Sequence, residues 1–184
     1  MELLHKLEQQ ILKWIKGVPH LPTPARKWLG DNIWWIALIG TIVTGIIVLF
    51  GLISLLSFLS VMGTVAASYY ATSTFTSWAI VTTLVSLAFS VLQGLILLAA
   101  INPLKAKQKK GWVLLFASWL LGAVAVVVNA VLTLNPFGFI GGLLFGAVGL
   151  AISGYFLFEI HSQFAHVERS KGVKSAKTTE HTKK

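Results

Sequence analysis

Cysteine is absent from the 184-residue chain, which excludes disulfides, thiolate metal ligands and thiol redox chemistry. Charge is scarce too: Asp, Glu, Lys and Arg make up 11% of the residues, against about 25% in an average soluble domain. Between Asp31 and Glu159 there is no Asp, Glu or His, and the only basic residues are the lysines of one loop. Intramembrane proton relays, ion coupling and voltage sensing depend on such groups. Paired histidines for haem and a Ser–His pair for proteolysis are equally missing from this stretch. The reading is therefore of a protein that is not an enzyme and uses no cofactor or metal.

What is present is apolar sequence, 55% of all residues, with a mean hydropathy of +0.78. It falls into segments at about 33–59, 76–101, 112–134 and 137–160, each meeting the roughly twenty residues that a helical crossing requires. The expected fold class is all-α: a polytopic membrane protein with four transmembrane helices and an N-terminal amphipathic interfacial helix.

Three regions follow from this pattern. Residues 1–32 hold the amphipathic helix and a Pro-rich elbow. Leu4, Leu7, Ile11 and Trp14 share a helical face beside Lys6, Lys13 and Lys16, a composition suited to the lipid headgroup boundary. Glu2 and Glu8 interrupt any signal-like apolar block, so no cleavage is expected. Pro19, Pro22 and Pro24 then break the helix, Thr23 caps a short turn that Gly30 ends, and Asp31 or Asn32 caps the first span. Residues 33–160 form the transmembrane domain. Its second span ends at Asn102-Pro103, and Asn135-Pro136 turns the third directly into the fourth, making those two antiparallel neighbours. Residues 161–184 read as a basic disordered cytoplasmic tail.

Basic residues stand only before the first span, in the central loop and in the tail; those places account for all 15 Lys and Arg. Because cytoplasmic loops carry the Lys/Arg excess, both termini and the central loop are expected inside, in a multi-pass protein of the cytoplasmic membrane. The net charge of +9 therefore reflects topology and does not imply nucleic acid. Trp28/Trp35 and Trp112/Trp119 share a seven-residue spacing behind similar Pro and basic residues. Duplication of a two-helix hairpin would produce this, and so would two independent membrane entries.

Candidate functional residues form three groups. Gly138, Gly142, Gly146 and Gly154 lie on one i,i+4 line and permit close helix packing, within the chain or with a partner. Thr83, Ser86, Ser90 and Gln93 form a polar stripe, with Asn129 in the next span; they serve as interhelical glue or line a hydrated path. Arg26, Lys27, Lys105, Lys107, Lys109 and Lys110 set orientation and face the anionic lipids of the inner leaflet or a partner. Glu159, His161, His166 and Glu168 match no metal-ligand spacing and read as a polar helix end.

The expected role is structural or accessory, with membrane lipids, a homo-oligomer or a membrane-protein partner as the interacting species. The alternative is a small channel or facilitator for an uncharged solute or ion, lined by the polar stripe. A third reading is membrane remodelling by the N-terminal helix.

Overall fold

The computed structural model describes residues 10–11, 17, 19–65, 73–133 and 135–164. Four helices make up almost all of them: α1 (Thr23–Val65), α2 (Ser73–Lys105), α3 (Lys109–Leu132) and α4 (Pro136–Glu159). No strand occurs among the described residues. All four helices are long and apolar enough to cross a membrane, as in a multi-pass membrane protein. Residues 165–184 of the expected tail, the connection at 66–72 and, apart from Gln10 and Ile11, the amphipathic segment lie outside the described residues. Residues 161–164, expected to begin the disordered tail, are instead helical, with Phe164 buried in the core.

The first helix departs from the expected boundaries. It starts at Thr23 rather than near Ile33 and runs unbroken for 43 residues, about 65 Å at 1.5 Å per residue. Pro24 is tolerated because it sits in the first turn, where its missing N–H leaves no bond unmade. The ladder begins with the Arg26 N–H donating to the Pro22 carbonyl at 3.1 Å. Gly30 does not end this helix; it is buried where Gln163 crosses, and an added Cβ would stand 3.0 Å from Gln163 Cγ. Asn32 does not cap either, since its side-chain amide donates back to the Trp28 carbonyl at 2.8 Å. Glycine at a close crossing costs helix propensity but gains approach, and here approach prevails.

Helix α2 also passes its expected end, continuing through Pro103 to Lys105. Near a helix terminus, proline sacrifices only one hydrogen bond. A Schellman turn then closes the helix: the Lys107 N–H donates to the Leu104 carbonyl (2.9 Å) and the Gln108 N–H to the Pro103 carbonyl (2.8 Å). Lys107 takes the left-handed conformation, φ 51°, that this turn requires. Four residues later Gly111 abuts the same turn; a Cβ there would lie 2.6 Å from the Leu104 nitrogen and 2.9 Å from the Pro103 carbonyl carbon.

At the other end of the molecule Asn135 is the N-cap of α4, accepting from the Phe137 N–H at 3.0 Å, with Pro136 as the first helical residue. The Trp78 indole donates to the Leu132 carbonyl at 3.0 Å, satisfying one of the acceptors left over at the end of α3.

Packing runs in chain order, α1 on α2, α2 on α3, α3 on α4. Small residues set the first of these faces: Gly94 meets Thr44, Gly51 meets Leu87 and Gly40 meets Leu97. The densest core lies at the end bearing the Lys105–Lys110 loop, hereafter the basic end. There Leu104, Trp112, Phe116, Ile160 and Phe164 are fully buried, with Leu29, Ile33, Leu157 and Phe158 packed against them. Trp112 stacks on Phe116 at 5.3 Å and meets Phe158 edge-on at 5.8 Å.

Two indoles tie α3 to α4. Trp112 donates to the Leu157 carbonyl and Trp119 to the Leu150 carbonyl, both at 2.9 Å. The seven-residue interval on one helix is matched by the same interval on the other. Trp28 and Trp35, by contrast, are 64% and 50% exposed. The shared spacing therefore does not correspond to a shared structural role.

Candidate functional site

The basic end contains a carboxylate that composition alone makes conspicuous. Glu159 closes the apolar α4, and its side chain is 1% exposed. No Lys or Arg lies within a helical turn of it, so its partners must come from elsewhere in the chain. His20 Nδ1 lies 2.7 Å from Oε1 and Arg26 Nε 3.5 Å from Oε2. The Oε2 atom has no hydrogen bond among the described residues. Arg26 is itself oriented by the Leu21 carbonyl, to which its Nε donates at 2.9 Å. One turn earlier on α4 the Tyr155 hydroxyl donates to the Pro19 carbonyl at 2.8 Å.

The elbow before α1 and the first turn of α1 are thus fastened to the end of α4 at three positions, Pro19 and His20 of the former and Arg26 of the latter. This corrects the reading of Glu159 as an ordinary polar helix end. Glu159→Gln removes the charge that Arg26 and His20 face. Because Arg26 is 29% exposed and recovers hydration, the expected loss is about 2 kcal/mol, near the scale of one hydrogen bond to a charged group. Unfolding of the purified protein by SDS titration measures it.

A polar pocket of about 300 Å³ borders this clasp, lined by Thr23, Arg26, Ser162 and Gln163. Farther along the same α1/α4 seam is a much larger and almost wholly apolar cleft of about 750 Å³. Trp28, Leu29 and Ile36 of α1 form one wall and Ile152, Phe156 and Leu157 of α4 the other, with residues of α2 and α3 at the back. The cleft exists because α1 comes close to the end of α4 and the turn after it only at the basic end, around Gly30, Gln163 and the buried core, and the two helices share no extended packed face farther along.

The candidate basic residues gather at this end. Lys107 forms an ion pair with Asp31, and the Lys105 ammonium lies 4.8 Å from the ring centroid of Trp34. Lys27 and Lys110 are exposed and Lys109 is half-buried. Lys107 and Asp31 bind the central loop to α1, while Arg26 binds α1 to α4.

The polar stripe sits between α2 and α3. Ser86 and Asn129 come together: the Ser86 hydroxyl donates to the Thr82 carbonyl at 2.9 Å and lies against Asn129 Oδ1, and the Asn129 amide donates to the Ala125 carbonyl at 2.8 Å. Thr83 and Ser90 turn their hydroxyls to their own helix, onto Ala79 and Ser86. Gln93 stands two turns away opposite Gly122, at 3.5 Å from where a Cβ would be. The stripe borders a cavity of about 700 Å³ among α1, α2 and α3.

The glycines of α4 divide by environment. At Gly146 a Cβ would collide with Val126, and at Gly154 it would meet the Trp119 ring at 3.0 Å. Gly138 lies against Thr133, whereas Gly142 has nothing within 4 Å. Gln93, Asn129 and the glycines 138, 142 and 146 also border a groove of about 510 Å³ between α3 and α4. Of the N-terminal segment, Ile11 is half-buried and lines a small apolar pocket with Trp119, Leu150 and Tyr155.

No protein-family model, curated protein or solved structure matches this chain. The site must therefore be interpreted from its own geometry.

Proposed function

We propose that this chain is a structural or accessory protein of the cytoplasmic membrane, with its basic end on the cytoplasmic side and the α1/α4 seam as its contact for another membrane component. The supporting observation is the lateral cleft of about 750 Å³, apolar and open to the side between helices that meet only at one end. Small-molecule sites typically enclose most of their ligand; a sideways-opening apolar slot in lipid suits a chain or helix lying along it.

A solute path along the bundle axis has weaker support. The stripe hydroxyls are taken up by backbone carbonyls of their own helix. The basic end is closed by the buried Trp112, Phe116, Ile160 and Phe164. Stopped-flow measurements on proteoliposomes test this reading. Permeability to glycerol, urea and potassium is expected to equal that of protein-free vesicles, and Gln93→Leu is expected to change nothing. Flux above the empty vesicles that Gln93→Leu abolishes would overturn the accessory role.

A further inference from the structure

We infer that the α1/α4 seam is a binding site for one anionic glycerophospholipid, with its phosphate in the polar pocket and an acyl chain in the apolar cleft. The inference rests on the accessory reading above and assigns that role a ligand class.

The two cavities lie on the same pair of helices in the order that a lipid requires. On α1 the polar pocket is lined by Thr23 and Arg26, and the apolar cleft begins at Trp28 and Leu29. On the α4 side Ser162 and Gln163 line the former, and Leu157 and Phe156 the latter. Polar lining thus gives way to apolar lining within about one helical turn on each wall, as it does from headgroup to acyl chain.

Charge complementarity identifies the headgroup. Arg26 and Lys27 stand in the first turn of α1, where no acidic residue is present. Cations at a helix N-terminus oppose the helix dipole, and an anion placed there relieves both. Glu159 and the Leu21 carbonyl engage Arg26 through Nε. The terminal guanidinium nitrogens have no partner among the described residues, and they are the pair that forks onto a phosphate. Thr23 and Ser162 add hydroxyl donors and Gln163 an amide. Glu159 cancels one positive charge at the site, and the exposed Lys27 restores it.

Native mass spectrometry of the full-length protein in detergent tests the inference, using phosphatidylglycerol and phosphatidylcholine with the same acyl chains. One phosphatidylglycerol is expected to be retained in preference to phosphatidylcholine. Arg26→Gln is expected to lower its retention roughly fivefold, the factor supplied by one cation beside an anionic headgroup. Since Arg26→Gln alone leaves Glu159 without its cation, Arg26→Gln/Glu159→Gln keeps the buried charge balanced and is expected to show the same loss. Gly149→Phe fills the cleft from a position with nothing within 4 Å and is expected to displace the lipid without disturbing the fold. Lys110→Gln, at the same end but off the seam, is expected to leave retention unchanged. Equal retention of the two lipids, or equal loss from Lys110→Gln and Arg26→Gln, overturns the site. Either result leaves the flux measurement untouched, so failure of the lipid site and failure of the accessory role are separately visible.

Discussion

Gly111→Ala is expected to destabilise the protein by about 3 kcal/mol, the range for forcing a methyl group into a packed site whose neighbours cannot move. Helix propensity predicts the opposite sign, since alanine is favoured over glycine by about 1 kcal/mol inside a helix. The local geometry decides between them. The atoms that a Cβ would meet are Leu104 N at 2.6 Å, Pro103 C at 2.9 Å and Leu104 Cα at 3.0 Å, all of them backbone. Relief requires displacing the end of α2, which is itself closed by the turn at Lys107. Gly142→Ala is the matched control: nothing lies within 4 Å of it, so only the propensity gain remains and stability is expected to hold or rise slightly. SDS-titration unfolding in mild detergent, followed by circular dichroism, compares the pair. A Gly111→Ala protein as stable as the Gly142→Ala protein would sink the account of the α2/α3 turn.

The other large effect is expected at Trp112. Its side chain is 1% exposed, and it links Phe116, Phe158 and the Leu157 carbonyl. Trp112→Ala should cost about 3–5 kcal/mol, the usual range for deleting a buried aromatic ring. In a membrane protein this loss is chiefly one of dispersion contacts and cavity formation, because lipid tails offer no hydrophobic drive to hold helices together. Trp112→Phe retains a ring and surrenders the indole hydrogen bond, for about 1 kcal/mol. Trp119→Phe, at a half-buried position, should fall at or below that value. An order in which Trp119→Phe exceeds Trp112→Ala would mean that the α3/α4 face is anchored at its middle rather than at the basic end.

The four long apolar helices were legible because a run of that length and composition suits a segment whose backbone must satisfy its own hydrogen bonds. Asn135-Pro136 was legible for the same local reason: cap and first-turn proline are adjacent in sequence. Boundaries set by distant neighbours were not. Gly30 and Asn32 have the chemistry of a helix break, yet Gln163 and the Trp28 carbonyl use them inside a continuous α1. Pro103 marks the end of α2 only to within the last turn, since the closing signal is carried by Lys107, a residue without the usual glycine.

The site shows the same division. The stripe and Asn129 were recognisable as hydrogen-bonding groups within apolar spans, but that Ser86 is the member that meets Asn129 comes from the fold alone. Glu159 reads from sequence as a polar helix end, although a lone carboxylate with no basic residue within a helical turn needs a distant cation. That cation was in plain view at Arg26, but only the fold brings positions 26 and 159 within 3.5 Å. The cleft could not be read at all, because it arises from the failure of α1 and α4 to pack along their length.

The length of α1 has a consequence for the surrounding bilayer. Its uncharged stretch from Ile33 to Val61 rises about 43 Å, whereas Trp112–Leu132 of α3 rises about 32 Å. A hydrocarbon core of about 30 Å accommodates α3 upright and leaves α1 some 13 Å in excess. The molecule therefore presents two apolar heights to the lipid around its circumference. Lipids along α1 must stretch, or that helix must lean, while those beside α3 do neither. In a bilayer of uniform thickness both helices fit only if α1 crosses at a steeper tilt than α3, so the length difference sets a lean between them rather than a difference in burial.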